Sequence, residues 1–155
     1  VRSFEWRAMN VGPLPLVLII ERLRAEVPSI RILGTAADLR TALAQKPAQT
    51  PAIFALVQER GRPQKGYTGQ FVQDVDATLQ LVQFTRNYAQ QPSGAAVRDD
   101  MDAFSTDVRS AVIGWTPGGA YRAFELQGSK DEDYAGGLLC RQQVFRTTYR
   151  IQVNA

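Results

Sequence analysis

Carboxylates able to hold a cation or trade a proton gather at two places in the sequence, Asp99-Asp100 with Asp102 and Asp131-Glu132-Asp133. A metal site or an acid/base pair needs its oxygens to converge. The first group fails that need, because helical neighbours point about 100° apart and all three avoid the apolar stripe of Val97, Met101 and Phe104. The helix dipole gives these aspartates a plainer role near a helix N-terminus. The second group lacks the alternating ligands, central glycine and closing glutamate of a calcium loop. It reads as an exposed acidic turn, able to meet a basic neighbour such as the 60–65 loop of an identical subunit.

The other chemistries fall away in turn. There is no histidine, which excludes an imidazole-built zinc site and a Ser-His-Asp centre. The lone Cys140 cannot form an intrachain disulfide, and with no base beside it in sequence it reads as a small core residue. Two glycine-rich places, "TPGG" at 116–119 and "GRPQKGYTG" at 61–69, lack the glycine spacing and Lys-Ser/Thr of a nucleotide cradle, and both lead into strands. No catalytic, cofactor-binding or metal-binding residue is therefore assigned, and no cofactor is expected.

What remains is a surface rich in arginine. Arg60, Arg62 and Lys65 around Tyr67 form the densest basic patch, open to three readings: a nucleic-acid contact, a solubilising loop, or a subunit contact. The formal charge of +3 comes from 18 basic and 15 acidic residues scattered along the chain, too small an excess to announce a nucleic-acid binder.

These residues are carried by elements whose periodicity is legible. The run Leu14–Ile20 ends at Glu21-Arg22, well short of the about 20 residues that cross a bilayer, and no small-residue cleavage site follows it. It reads as a buried helix, begun at Pro13 and Pro15 and continued by Leu23 and Val27. "SIRIL" (29–33) reads as a short strand, and Thr35 with Asp38 resembles a capping box opening a second helix. "AIFALVQE" (52–59) is β-prone, and residues 60–70 form a loop.

From Phe71 to Arg86 the odd positions are mostly apolar and the even ones polar, with a phase flip near Val82 and Phe84 that predicts a bulge or a change of packing partner. Ser93 is a plausible N-cap for the clearest amphipathic helix, stepped by Val97, Met101, Phe104, Val108, Ala111 and Val112.

That helix ends at a corner, where Gly114 permits the stop, Pro117 prevents continuation, Gly118 and Gly119 allow a reversal and Trp115 packs against the core. "YRAFEL" (121–126) reads as a strand, "QGSKDEDYAGG" (127–137) as a turn, and residues 138–153 as a long final strand. The order α-β-α-β-β-α-β-β predicts an α+β fold, a mainly antiparallel sheet of about four to five strands with helices packed on one face. The other face carries Asp74, Asp76, Thr78, Arg146 and Arg150. Residues 13–155 read as one domain, with 1–12 an N-terminal arm. Residues 1–8 precede Met9 and are read either as the product of an upstream valine start or as part of that arm. Phe4 and Trp6 favour an arm docked on its own body or on a neighbour.

Taken together, "LVLIIERLRAEVPSIRILGTAADLRTAL", "TPAIFALVQE", "VDATLQLVQFTRN", "AVIGWTPGGAYRAFELQGS" and "LLCRQQVFRTTYRI" resemble the tail terminator, or tail completion, proteins of long-tailed bacteriophages, from Leu16 to Val153. The most telling part is the helix–Gly-Trp-Thr-Pro–strand corner. The resemblance implies a structural virion protein and not an enzyme. It implies a ring, commonly a homohexamer, that caps the tail tube, stops its polymerisation and joins the head connector. The implied partners are other copies of itself, the tail tube protein and a head completion or connector protein, with no membrane and with nucleic acid at most passing through the lumen. The implied place is the head-proximal end of the tail, assembled in the host cytoplasm. Another neck or connector protein, or an α+β nucleic-acid-binding module, stands as the alternative. The N-terminal arm and the 60–70 loop have no counterpart in that pattern. On this reading the polar contacts of the ring, between subunits or at its lumen, are expected from Asp74, Asp76, Arg146 and Arg150.

Overall fold

The computed structural model describes residues 12–64, 70–87, 95–134 and 136–154. Among these the chain forms three helices and a five-stranded sheet in the order α1 (Leu16–Glu26), β1 (Ile32–Gly34), α2 (Ala36–Gln45), β2 (Ala52–Gly61), β3 (Gln70–Arg86), α3 (Ala95–Val112), β4 (Glu125–Tyr134) and β5 (Leu138–Asn154). Class and order are those the periodicities predict. Spatially the strands run β1-β2-β3-β5-β4, with β1 parallel to β2 and every other pairing antiparallel.

The sheet is built around its two longest strands, β3 and β5, which pair without interruption from Gln70↔Asn154 to Arg86↔Leu138. Because side chains alternate along a strand, this register puts Val75, Ala77, Leu79 and Leu81 on the same face as Phe145 and Tyr149. Those residues, with Ile53 and Ala55 of β2, form one core with Ile19 and Leu23 of α1 and the expected α3 stripe of Val97, Met101, Phe104, Val108, Ala111 and Val112. Helices α1 and α3 thus cover one face. The run Leu14–Ile20 is not buried all round, since Val17 is 66% and Leu18 40% exposed. An isolated surface helix buries a stripe, and here Ile19 and Leu23 carry it.

Helix α2 lies against the opposite face. Ala42, with Leu39 beside it, packs on Ala52, Phe54, Val82, Phe84, Leu138 and Cys140, a second apolar cluster at one end of the sheet. This explains the phase flip in β3: its ladders run through Val82 and Phe84 with no bulge, and these two face α2. Phe54 and Phe84 meet edge to face at 5.9 Å. Cys140 is buried in this cluster, and burial pushes its thiol up to about 11, the behaviour of an inert core residue.

Two boundaries differ from the sequence reading. The first strand is shorter than expected, three residues beginning at Ile32. The stretch read as a turn at 127–137 is mostly strand: β4 runs Glu125–Tyr134 along β5 with one irregularity between Leu126 and Gly128, while Tyr121 makes only an isolated bridge to Tyr149. As an edge strand β4 needs no continuous apolar face, so its polar composition disguised it. The turn itself is at Gly136 and Gly137, both left-handed, at φ 76° and 72°. A Cβ on Gly137 would collide with the Asn87 carbonyl. Gly137→Ala is therefore expected to cost about 1–2 kcal/mol, read from the denaturation midpoint.

Candidate assembly surface

The even-numbered side of the central strands is where the expected polar residues meet. Register places Asp74 opposite Arg150, Asp76 opposite Thr148, and Thr78 opposite Arg146. Asp76 is the hub. One of its oxygens accepts Arg62 Nη2 at 2.7 Å, Thr148 Oγ1 at 3.0 Å and Arg146 Nη2 at 3.1 Å, while the other accepts Arg62 Nε at 2.8 Å. Arg150 Nε donates to Asp74 at 2.8 Å. Arg60 is exposed on the same side, in register with Asp76 across the β2/β3 ladder.

The electrostatics follow from these bonds. The Arg62 fork, then Thr148 and Arg146, hold the Asp76 carboxyl well below the usual carboxylate range, and the bond from Arg150 lowers Asp74 in the same way. Both stay ionised at any pH near neutral. They are fixed charges that order arginines in a row, and such groups neither give nor take protons in turnover.

Arg62 therefore leaves the loop role the sequence suggested. Its backbone N–H also donates to the Asp74 carbonyl at 2.8 Å, extending the β2/β3 hairpin by one rung. Lys65, Tyr67, Phe4 and Trp6 lie outside the described residues.

A second polar cluster, unforeseen in sequence, lies between α3 and β4/β5. Arg141 is the centre: its guanidinium reaches Asp131 at 2.6 and 2.9 Å, Asp102 at 2.8 Å and Ser105 Oγ at 3.0 Å. Asp131, expected as part of an exposed acidic turn facing another subunit, is instead paired within its own chain. Asp102 likewise does more than complement a helix dipole. Helix α3 begins at Ala95, so Asp99, Asp100 and Asp102 lie beyond its first turn, and Ser93 is outside the described residues. Asp100 accepts Asn87 Nδ2 at 2.7 Å.

Beneath Arg141, the fully buried Gln143 donates to the equally buried Gln83, which donates to Ser105 Oγ at 3.2 Å. Arg109 Nε caps the chain on Gln143 at 2.6 Å. An open cleft of about 570 Å³, lined by Asp102, Ser105, Thr106, Arg109, Ser129, Asp131 and Arg141, sits above. One signal for this network was available: Gln83 and Gln143 occupy inward positions of their strands by parity, so their amides had to find partners.

The corner after α3 is ordered as a packing joint. Gly114 is left-handed at φ 81°, and its N–H donates to the Phe124 carbonyl at 2.9 Å while Phe124 N–H donates to Trp115 O at 3.0 Å. Trp115 stacks on Phe124, 6.1 Å between centroids and 12° between planes, and Arg22 of α1 lies over the indole ring, 5.7 Å from its centroid. Thr116 Oγ1 donates to Gly118 O at 2.9 Å, across Pro117. Neither Gly118 nor Gly119 takes a positive φ, so the reversal does not draw on glycine's left-handed region.

A last group fixes where the chain approaches α1. Tyr149 donates to Glu59, whose other oxygen accepts Leu14 N–H at 3.1 Å, and Tyr121 Oη donates to the Gly12 carbonyl at 3.1 Å. Burial first, and then the Glu59 bond, raise the Tyr149 phenol above its ordinary value, so it remains a proton donor.

Among the described residues no group of three carboxylate or cysteine side chains is placed to hold a metal ion, and no helix is long and apolar enough to cross a membrane. A search among curated proteins finds no match. The model of the phage tail terminator protein family matches residues 9–155, nearly the whole chain, and the protein belongs to that family of structural components of the phage tail.

Proposed function

We propose that identical copies of this chain close into a ring, six in number, that caps the finished tail tube, stops addition of tube protein and presents its far side to the head connector. Membership of the tail terminator family carries the reading. The row of ordered charges on the open side of the sheet supports it. Arginines held by Asp74 and Asp76 keep a fixed geometry, and complementary fixed charges set register between subunits more than they add affinity. In this reading Asp74, Asp76, Arg146 and Arg150 serve contacts between subunits or at the lumen, with Arg60, Arg62, Lys65 and Tyr67 at the hairpin end reaching a neighbour. The mechanism is steric: a closed cyclic assembly has no free face at which a tube of matching symmetry can grow.

The nucleic-acid alternative is weakened by one observation. Arg62, Arg146 and Arg150 are already engaged by carboxylates, whose negative charge offsets theirs toward a phosphate.

Arg146→Glu tests the surface. Arg146 is partly exposed and contributes one of four bonds to Asp76, so the fold should persist while ring formation is lost or becomes strongly salt-dependent in native mass spectra. A ring of unchanged mass and unchanged salt sensitivity would remove this face from the interface.

A further inference from the structure

We propose that the N-terminal arm of the chain folds back on its own sheet, with Phe4 and Trp6 covering the apolar pair Phe71 and Val153. Phe71 and Val153 are register partners at the free end of β3 and β5, 44% and 47% exposed. By strand parity they share a face with Val75, Tyr149 and Ile151, the side that α1 and α3 cover elsewhere. Phe71 and Val153 themselves lie outside that core. Side-by-side aromatic and β-branched residues left open there are an unpaired cross-strand contact.

The chain itself supplies the cover, and the point from which it departs is fixed. Gly12 is held by Tyr121, whose ring lies 5.1 Å from that of Tyr149, and Leu14 is held by Glu59 on β2. Gly12, the first described residue, therefore sits beside the Tyr121–Tyr149 pair, on the β5 side of the sheet. From Tyr149 to Val153 is four residues of strand, about 13 Å. Trp6 and Phe4 are six and eight residues upstream of Gly12, and six extended residues span about 20 Å. Both aromatics can reach the pair, and the exposed apolar surface favours their doing so.

The test reads Trp6 directly in the full chain, as the difference in fluorescence between the natural protein and Trp6→Leu, repeated with Phe71→Ser/Val153→Ser. Trp115→Phe, which keeps a stacking ring, gives the Trp6 signal alone as a second route should the serine pair perturb the fold. The expected Trp6 emission lies to the blue of free tryptophan, is shielded severalfold from acrylamide, moves to the red in the serine pair and does not change on dilution. Emission like free tryptophan and indifferent to Phe71 and Val153 overturns the proposal. A shielded signal that is lost on dilution overturns it equally, by assigning the arm to a second copy.

Discussion

Trp115→Ala is expected to lower folding stability by about 3 kcal/mol and to take assembly down with it. The indole is half-buried, yet three things depend on it. It covers one side of Phe124, which is only 1% exposed and belongs to the main core. It receives Arg22, whose Nε also donates to the Ala111 carbonyl at 3.0 Å, so the ring helps tie α1 to the end of α3. And its backbone is paired with that of Phe124, fixing where the chain turns toward β4 and β5. Truncation leaves a cavity beside Phe124 and an arginine without its platform. Trp115→Phe should recover most of the loss, because the stacking plane survives. A chemical-denaturation midpoint unchanged by Trp115→Ala would mean that the corner is set by its backbone bonds alone.

Arg141→Ala should cost about 2 kcal/mol, on the scale of lost hydrogen bonds to a charged group that is largely shielded from water. Arg141 of β5 bridges Asp102 of α3 and Asp131 of β4, and only 12% of it is exposed. Its partners Asp102 and Asp131 are far more exposed, so they re-solvate when the arginine is removed, and the cost stays below that of a fully buried pair. The pH dependence has a definite sign. The bond from Arg141 lowers the Asp131 pKa in the folded state, so the stability it confers is fully present above the unfolded value of about 3.9 and is lost as pH falls through the folded value. The gap between natural protein and Arg141→Ala should therefore be constant at neutral pH and narrow in acid. A gap that widens in acid would contradict the pairing.

These residues show what a sequence discloses about such a fold. The α3 stripe and the parity of β3 and β5 were legible because each buries one face, and a buried face writes its period into the chain. The charged row was legible for the same reason, since Asp74, Asp76, Arg146 and Arg150 occupy the complementary parity. Its bonding was not. Arg62 is 14 positions from Asp76, and their pairing depends on the hairpin that returns β3 beside β2. Strand β4 was misread because its order comes from β5 and not from its own composition, and with it went the Asp131–Arg141 pair, whose members face each other only across that register. The place of α2 was equally hidden: Ala42 and Leu39 announce a helix face, and only the β2 register decides which side of the sheet receives it.

The proposed capping role is tested most directly by imaging tail tubes incubated with the purified chain and then challenged with fresh tube protein. A ring-shaped density at one tube end, with elongation stopped at that end, is the predicted result. Bare ends and unimpeded elongation at saturating chain would contradict it.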